Sequence, residues 1–160
     1  MDNSVPEDAL AMIGAEKVCG YVVTKRDIKR FAQAIGETNL IHCDEDYAKS
    51  TRYGVIHAPP LFCQIFAFED VAPDRLPNDG SPIEIDVPIS AKRTVGGASS
   101  YEIFRRVKVG DQINAKSVLK DVFTKRGKSG QLCFLVVETE FSDQHNKPVA
   151  KEIATYIKRI

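Results

Sequence analysis

At 160 residues, 43% hydrophobic and 28% charged, the chain has the length of one compact domain and is too short for two. Its 22 Lys and Arg offset 22 Asp and Glu, which leaves no global basic field to hold a nucleic-acid backbone or an anionic membrane. Eight Phe and five Tyr within an ordinary apolar content exclude a chain that stays disordered.

The first 13 residues read as a flexible lead-in, followed by a single domain over 14–160. Residues 18–23 form a short β-prone run. Thr24 then offers a capping box with Asp27, ahead of apolar positions Ile28, Phe31, Ala32 and Ile35, and Gly36 stops the resulting amphipathic helix. Asp44-Glu45-Asp46 caps a second, short helix with acids in its first turn. Pro59-Pro60 opens residues 61–68, where only Gln64 is polar, so a helix there is expected to be buried nearly all round. From Pro82 onward the period becomes that of strands: 83–89, 101–107, 113–123, 132–141 and 149–157, separated by turn signals at Gly96-Gly97, Gly110-Asp111, 127–130 and His145-Asn146. Helices first and a strand meander afterwards predict an α+β domain, a buried helix against an antiparallel sheet.

Several features suggest chemistry that their surroundings do not support. Gly127-Lys128-Ser129 resembles the end of a phosphate-binding P-loop, but the spacing requires glycine where Val122 stands. Cys19, Cys43, Cys63 and Cys133 form no Cys-x-x-Cys pair, and no metal-binding spacing occurs, so reduced thiols and no metal are expected. The acidic N-terminus lacks the basic start of a signal peptide, and the apolar run 132–137 is far short of a bilayer span; a cytoplasmic protein is expected. Lys125 and Arg126 make a basic hairpin tip, read either as a solvated turn or as a grip on a ligand's phosphates or an acidic carrier. The remaining cluster is Glu37, Asn39 and His42, a carboxylate, an amide and an imidazole on one loop. Reversible addition of water to a double bond needs one group to activate water and another to handle the α-carbon proton, and this loop has candidates for both.

Phe31-Ala32-x-Ala34-x-Gly36-Glu37-Thr38-Asn39-Leu40-Ile41-His42-x-Asp44-x-x-x-Ala48 resembles the hydratase signature of MaoC-like dehydratases and (R)-specific enoyl-CoA hydratases, in which Gly-Asp-x-Asn-Pro-x-His ends the first helix. Gly54-Val55-Ile56-His57-Ala58-Pro59-Pro60-x-Phe62 and Val107-Lys108-Val109-Gly110-Asp111 are similar to the N-terminal branch of that family. The resemblance implies a hot-dog fold, a long buried helix wrapped by an antiparallel sheet, with sites at a dimer interface. It implies His42, Glu37 and Asn39 as catalytic residues, with Glu37 on the family's aspartate. It also implies a CoA or phosphopantetheine thioester as substrate, no further cofactor, and a homodimer or a heterodimer with a second hot-dog subunit. Leu40 stands where the motif has proline, and Ala58-Pro59-Pro60 stands where catalytic members begin the central helix with His-Gly. Ala58 and Leu61 are then the nearby backbone donors for a thioester oxygen, since proline has no N–H. The function implied is a hydro-lyase interconverting (3R)-3-hydroxyacyl and trans-2-enoyl thioesters. The alternative is a non-catalytic acyl-binding subunit of a heterodimeric dehydratase. A thioesterase would need a water-activating acid on the central helix, where Glu69 is the candidate.

Overall fold

The computed structural model describes residues 5–66, 85–91, 93–128 and 130–160. In chain order the elements are α1 (Glu7–Ala11), β1 (Glu16–Val22), α2 (Lys25–Ile35), a 3-10 turn (Leu40–His42), α3 (Glu45–Ser50), a 3-10 helix (Phe62–Phe66), β2 (Arg93–Ile103), β3 (Gln112–Gly127), β4 (Gly130–Asp143) and β5 (Pro148–Arg159). The strands form one antiparallel sheet in the order β1-β3-β4-β5-β2, which leaves β1 and β2 as its edges.

Local chemistry accounts for the helices. The Thr24 hydroxyl accepts from the Asp27 N–H while the Asp27 carboxylate accepts from the Thr24 N–H, 3.2 Å each, so two donors orphaned at the start of α2 are satisfied reciprocally. Ile28 and Ala32 are the buried positions of α2, and Phe31 meets Phe62 edge-on at 5.4 Å between ring centroids. Burying a residue such as Ile28 stabilises the fold by roughly 1.5–3 kcal/mol. Gly36 ends α2 at φ 72°, a left-handed conformation open to glycine without penalty.

One face of the sheet carries two apolar clusters. The first joins Val23, Ile28, Ile41 and Ile56 to Phe62, Phe66, Ile113 and Phe141. The second joins Val87 and Ile89 to Leu119, Val122, Cys133 and Leu135 toward the other end of β3 and β4. Ala9 of α1 is fully buried in that second cluster, so residues 7–11 of the expected lead-in form a packed helical turn.

Four expectations change. Gly96-Gly97 is a bulge inside β2 rather than a turn, and a Cβ at Gly97 would meet Ile157 and the Thr155 carbonyl at 3.0 Å. β2 ends at Ile103, because the chain turns away there and residues 107–109 pair instead with 56–58. Of the expected strand 83–89, residues 85–89 are not in a strand, and 83 and 84 lie outside the described residues. Of the expected helix 61–68, the described part is a 3-10 helix, preceded by Leu61 at φ 67°; residues 67 and 68 lie outside the described residues.

Four carboxylates among the described residues have pKa values below their ordinary ones, Glu45 through its contact with Lys25 and three others as follows. Backbone N–H groups of Lys147 and His145, together with Arg105, lower Asp143; Lys151 and Lys120 lower Glu138; Thr24 and Tyr21 lower Asp27, against a larger opposing push from burial. A carboxyl whose folded pKa lies below its unfolded value stabilises the fold above the unfolded value, and that stability is lost as pH falls through the folded one. Urea midpoints are therefore expected to fall on acidification through and below the ordinary carboxylate range, and Asp143→Asn to flatten that dependence; an unchanged slope would remove Asp143 from the account.

Candidate active site

The end of α2 sets up the loop. The N–H of Glu37 donates to the Ala32 carbonyl at 2.9 Å, which fixes where the chain leaves the helix. The Glu37 carboxylate accepts from the N–H of Asn39 at 2.9 Å, and the Asn39 side-chain oxygen accepts from the N–H of Ile41 at 3.1 Å, capping the 3-10 turn that carries His42. Asn39 thus acts on Glu37 through its backbone and on His42 through the turn it caps. Glu37 and Asn39 are exposed, whereas His42 is only 3% exposed.

The His42 ring is held from one side. Its Nδ1 lies 2.6 Å from the carbonyl oxygen of His57. A carbonyl only accepts, so Nδ1 carries the proton and donates, which leaves Nε2 of the neutral ring as an acceptor. The His57 ring is fixed in the same sense, its Nδ1 donating to the Val55 carbonyl at 2.8 Å. His57 is positioned by pairing with Lys108: the Ala58 N–H donates to the Val107 carbonyl at 2.8 Å and the Val109 N–H to the Ile56 carbonyl at 3.2 Å. That segment is in turn clamped by Arg105, which bonds Asp111 at 2.7 Å and Asp143 at 3.1 Å while Asp111 also accepts from the Lys108 N–H at 3.0 Å.

A cleft of about 130 Å³ opens one residue beyond His57, between residues 58–63 and the side chains of Tyr101, Ile103 and Ala150, with Arg105, Arg106 and Val107 completing its wall. Ala58 and Leu61 both line it. The Ala58 N–H is already held by Val107 and cannot serve a thioester oxygen, which corrects one expected role. Leu61, at φ 67°, keeps an N–H with no carbonyl partner among the described residues. Cys63 shares the cleft, and burial pushes its thiol up to about 12.

Lys125 and Arg126 lie elsewhere. They sit thirteen and fourteen positions beyond Gln112, the end of β3 nearest His57, which is roughly 40 Å along an extended strand. Lys125 Nζ instead lies 5.2 and 5.4 Å from the stacked rings of Phe123 and Phe134. Within one chain they are not brought to the loop or the cleft. Basic groups that the sequence reading did not single out lie closer: the guanidinium carbons of Arg52 and Arg106 stand 4.9 and 5.3 Å from the Tyr53 ring centroid, and that ring is 5.1 Å from the ring of His57. Glu69 lies outside the described residues. Among the described residues no three His, Cys, Asp or Glu side chains converge as metal ligands, and no helix is long and apolar enough to cross a membrane.

The chain is similar in sequence or fold to several known proteins. A UPF0336 protein of Saccharopolyspora erythraea is 25% identical over 139 residues, 87% of this chain and 82% of that protein. The HadBC (3R-hydroxyacyl-ACP dehydratase) complex of Mycobacterium tuberculosis superposes with a TM-score of 0.69 at 19% identity, covering 91% of this chain and 96% of that one. The ChsH1-ChsH2 complex of the same organism gives 0.67 at 19% identity, over 96% and 90%. The profile of FAS1-like dehydratase domain regions matches residues 11–152. The fold is therefore the hot-dog of MaoC-like dehydratases, and by the profile match over most of its length the chain belongs to the family of FAS1-like dehydratase domain regions.

Proposed function

We propose that the protein is a hydro-lyase that interconverts (3R)-3-hydroxyacyl and trans-2-enoyl thioesters by syn addition and removal of water. The observation that carries this reading is the His42 ring, whose Nδ1 is locked by the His57 carbonyl so that Nε2 is an acceptor at the base of the Glu37 loop. In the hydration direction the water oxygen bonds to C3 while one of its protons passes to Nε2 of His42. That proton is then relayed through the Glu37 carboxylate to C2, where the electrons of the double bond, held in the transient enolate, form the new C–H bond, so both the ring and the carboxylate return to their starting states. The negative charge on the thioester oxygen then needs a donor, and the Leu61 N–H is the candidate lining the cleft.

Arg106, which lines the cleft, and Arg52, which shares the Tyr53 ring with it, suit a thioester carried on a phosphate-bearing group such as CoA or phosphopantetheine. A second hot-dog subunit fits the long exposed edge of β2, where Val95 and Ile103 are exposed, and the HadBC and ChsH1-ChsH2 structures are complexes. A second reading, a non-catalytic acyl-binding partner of such a complex, is favoured by two contacts: the Glu37 carboxylate is engaged by Asn39, and the Ala58 N–H by Val107.

Purified protein is expected to consume trans-2-enoyl-CoA, followed by loss of enoyl absorbance, with His42→Ala lowering kcat/KM by about 10²–10⁴-fold. Activity that arises only when a second hot-dog subunit is added would support the partner reading, and release of free thiol would identify a thioesterase. The ring assignment has its own check: nitrogen NMR at neutral pH is expected to find His42 protonated on Nδ1, and the reverse pattern would remove Nε2 as the base. Arg106→Ala is expected to raise KM for the CoA thioester by roughly tenfold with little change in kcat, the mark of lost ground-state binding.

A further inference from the structure

The inner face of the sheet carries one row of polar side chains where its neighbours are apolar. In register across four strands, Ser117 of β3 faces Thr139 of β4, Thr139 faces Glu152 of β5, and Glu152 faces Tyr101 of β2. The row on one side is Ala115, Phe141, Ala150 and Ile103. On the other side, Leu119, Val137 and Ala154 continue the second apolar cluster. Ser117 and Thr139 satisfy each other at 2.9 Å. Glu152 is different: it is 1% exposed, and among the described residues neither of its carboxyl oxygens completes a hydrogen bond. Burial pushes its pKa up, against a smaller downward pull from the nearby hydroxyls of Tyr101 and Ser99.

A buried carboxyl without full hydrogen bonding is destabilising, more so when charged, so an apolar residue here would make a more stable sheet. Its position connects it to the cleft. Ala150 and Ile103, which line the cleft, belong to the adjacent apolar row, and Tyr101, which also lines it, belongs to the polar row itself. Ala150 and Glu152 point to the same face two residues apart, about 7 Å along the strand. Glu152 is not itself in the cleft wall, but an acyl chain that entered at Ala58 and passed Ala150 and Tyr101 along the strand direction would meet it next.

Resting on the reading of this cleft as the acyl site, we infer that Glu152 is a specificity residue for a hydroxyl group borne on the acyl chain beyond the reacting carbons, so that the substrate class is hydroxylated acyl thioesters rather than plain alkyl ones. A hydroxyl suits the carboxyl in either protonation state, since it donates to a carboxylate and also accepts from a carboxylic acid. A site built to hydrogen-bond a hydroxyl rejects the analogue lacking it more sharply than an apolar pocket rejects an added one.

The test compares trans-2-octenoyl-CoA with its isomers hydroxylated at C6, C7 or C8, and binding of the corresponding saturated thioesters by calorimetry, on the full chain. Wild type is expected to favour at least one hydroxylated isomer by tenfold or more in kcat/KM and in affinity. Glu152→Leu is expected to abolish that preference while keeping activity on the alkyl substrate, with a melting temperature no lower than wild type. Glu152→Gln, which keeps hydrogen-bonding capacity and nearly the same shape, is expected to retain part of the preference and serves if the leucine variant fails to fold. Equal treatment of all chains by wild type, or a preference that survives in Glu152→Leu, overturns the inference while leaving the hydro-lyase reading standing. A chain that binds with the stated preference but hydrates nothing overturns the hydro-lyase reading instead.

Discussion

The carbonyl of His57 determines what His42 can do. Because that oxygen only accepts, its 2.6 Å contact makes one ring nitrogen a donor and leaves the other nitrogen of the neutral ring an acceptor. The carbonyl is aimed by the short pairing of residues 56–58 with 107–109, and that pairing is held by Arg105 between Asp111 and Asp143. The partners of Arg105 sustain its charge against the opposing effect of burial. A side chain at the turn between β4 and β5 is thereby linked to a ring on the far side of the loop, through hydrogen bonds and the short backbone pairing between them.

The parts of the fold that local chemistry governs were legible from the residues. Thr24, Asp27 and Gly36 carry the start and stop of α2 within a dozen positions, and the alternation of Ile113, Ala115 and Leu119 marks β3 as a strand with one buried face. The loop from Glu37 to His42 was legible as a constellation for the same reason, since its members lie five positions apart on one turn. Features that depend on distant partners were not. His57 acts through a backbone carbonyl, a group every residue has, and its pairing with Lys108 spans some fifty positions. The Ala58 N–H is engaged by the same pairing, and the length of β3 keeps Lys125 and Arg126 away from the loop within one chain. Gly96-Gly97 read as a turn because glycine marks turns and bulges alike, and only the packing of Ile157 against the strand distinguishes them.

The sheet divides labour along its length. Its end nearest α2 supports the loop and the segment that holds His42; its far end packs α1 and residues 85–89 on a separate apolar cluster. The polar row lies between the two and interrupts what would otherwise be one continuous core. Such an interruption sacrifices stability in the part of the sheet that β2 closes, which is also where the cleft meets the strands.

Cys63 lines that cleft with a thiol pushed up to about 12. At neutral pH the thiolate, the form that reacts with electrophiles, is then disfavoured. On the proposed reading the substrate, an α,β-unsaturated thioester, is itself an electrophile, open to conjugate attack by sulfur at the carbon that water would reach. Burial of this cysteine keeps the sulfur in its unreactive form, so the cleft can hold such a compound without being alkylated by it.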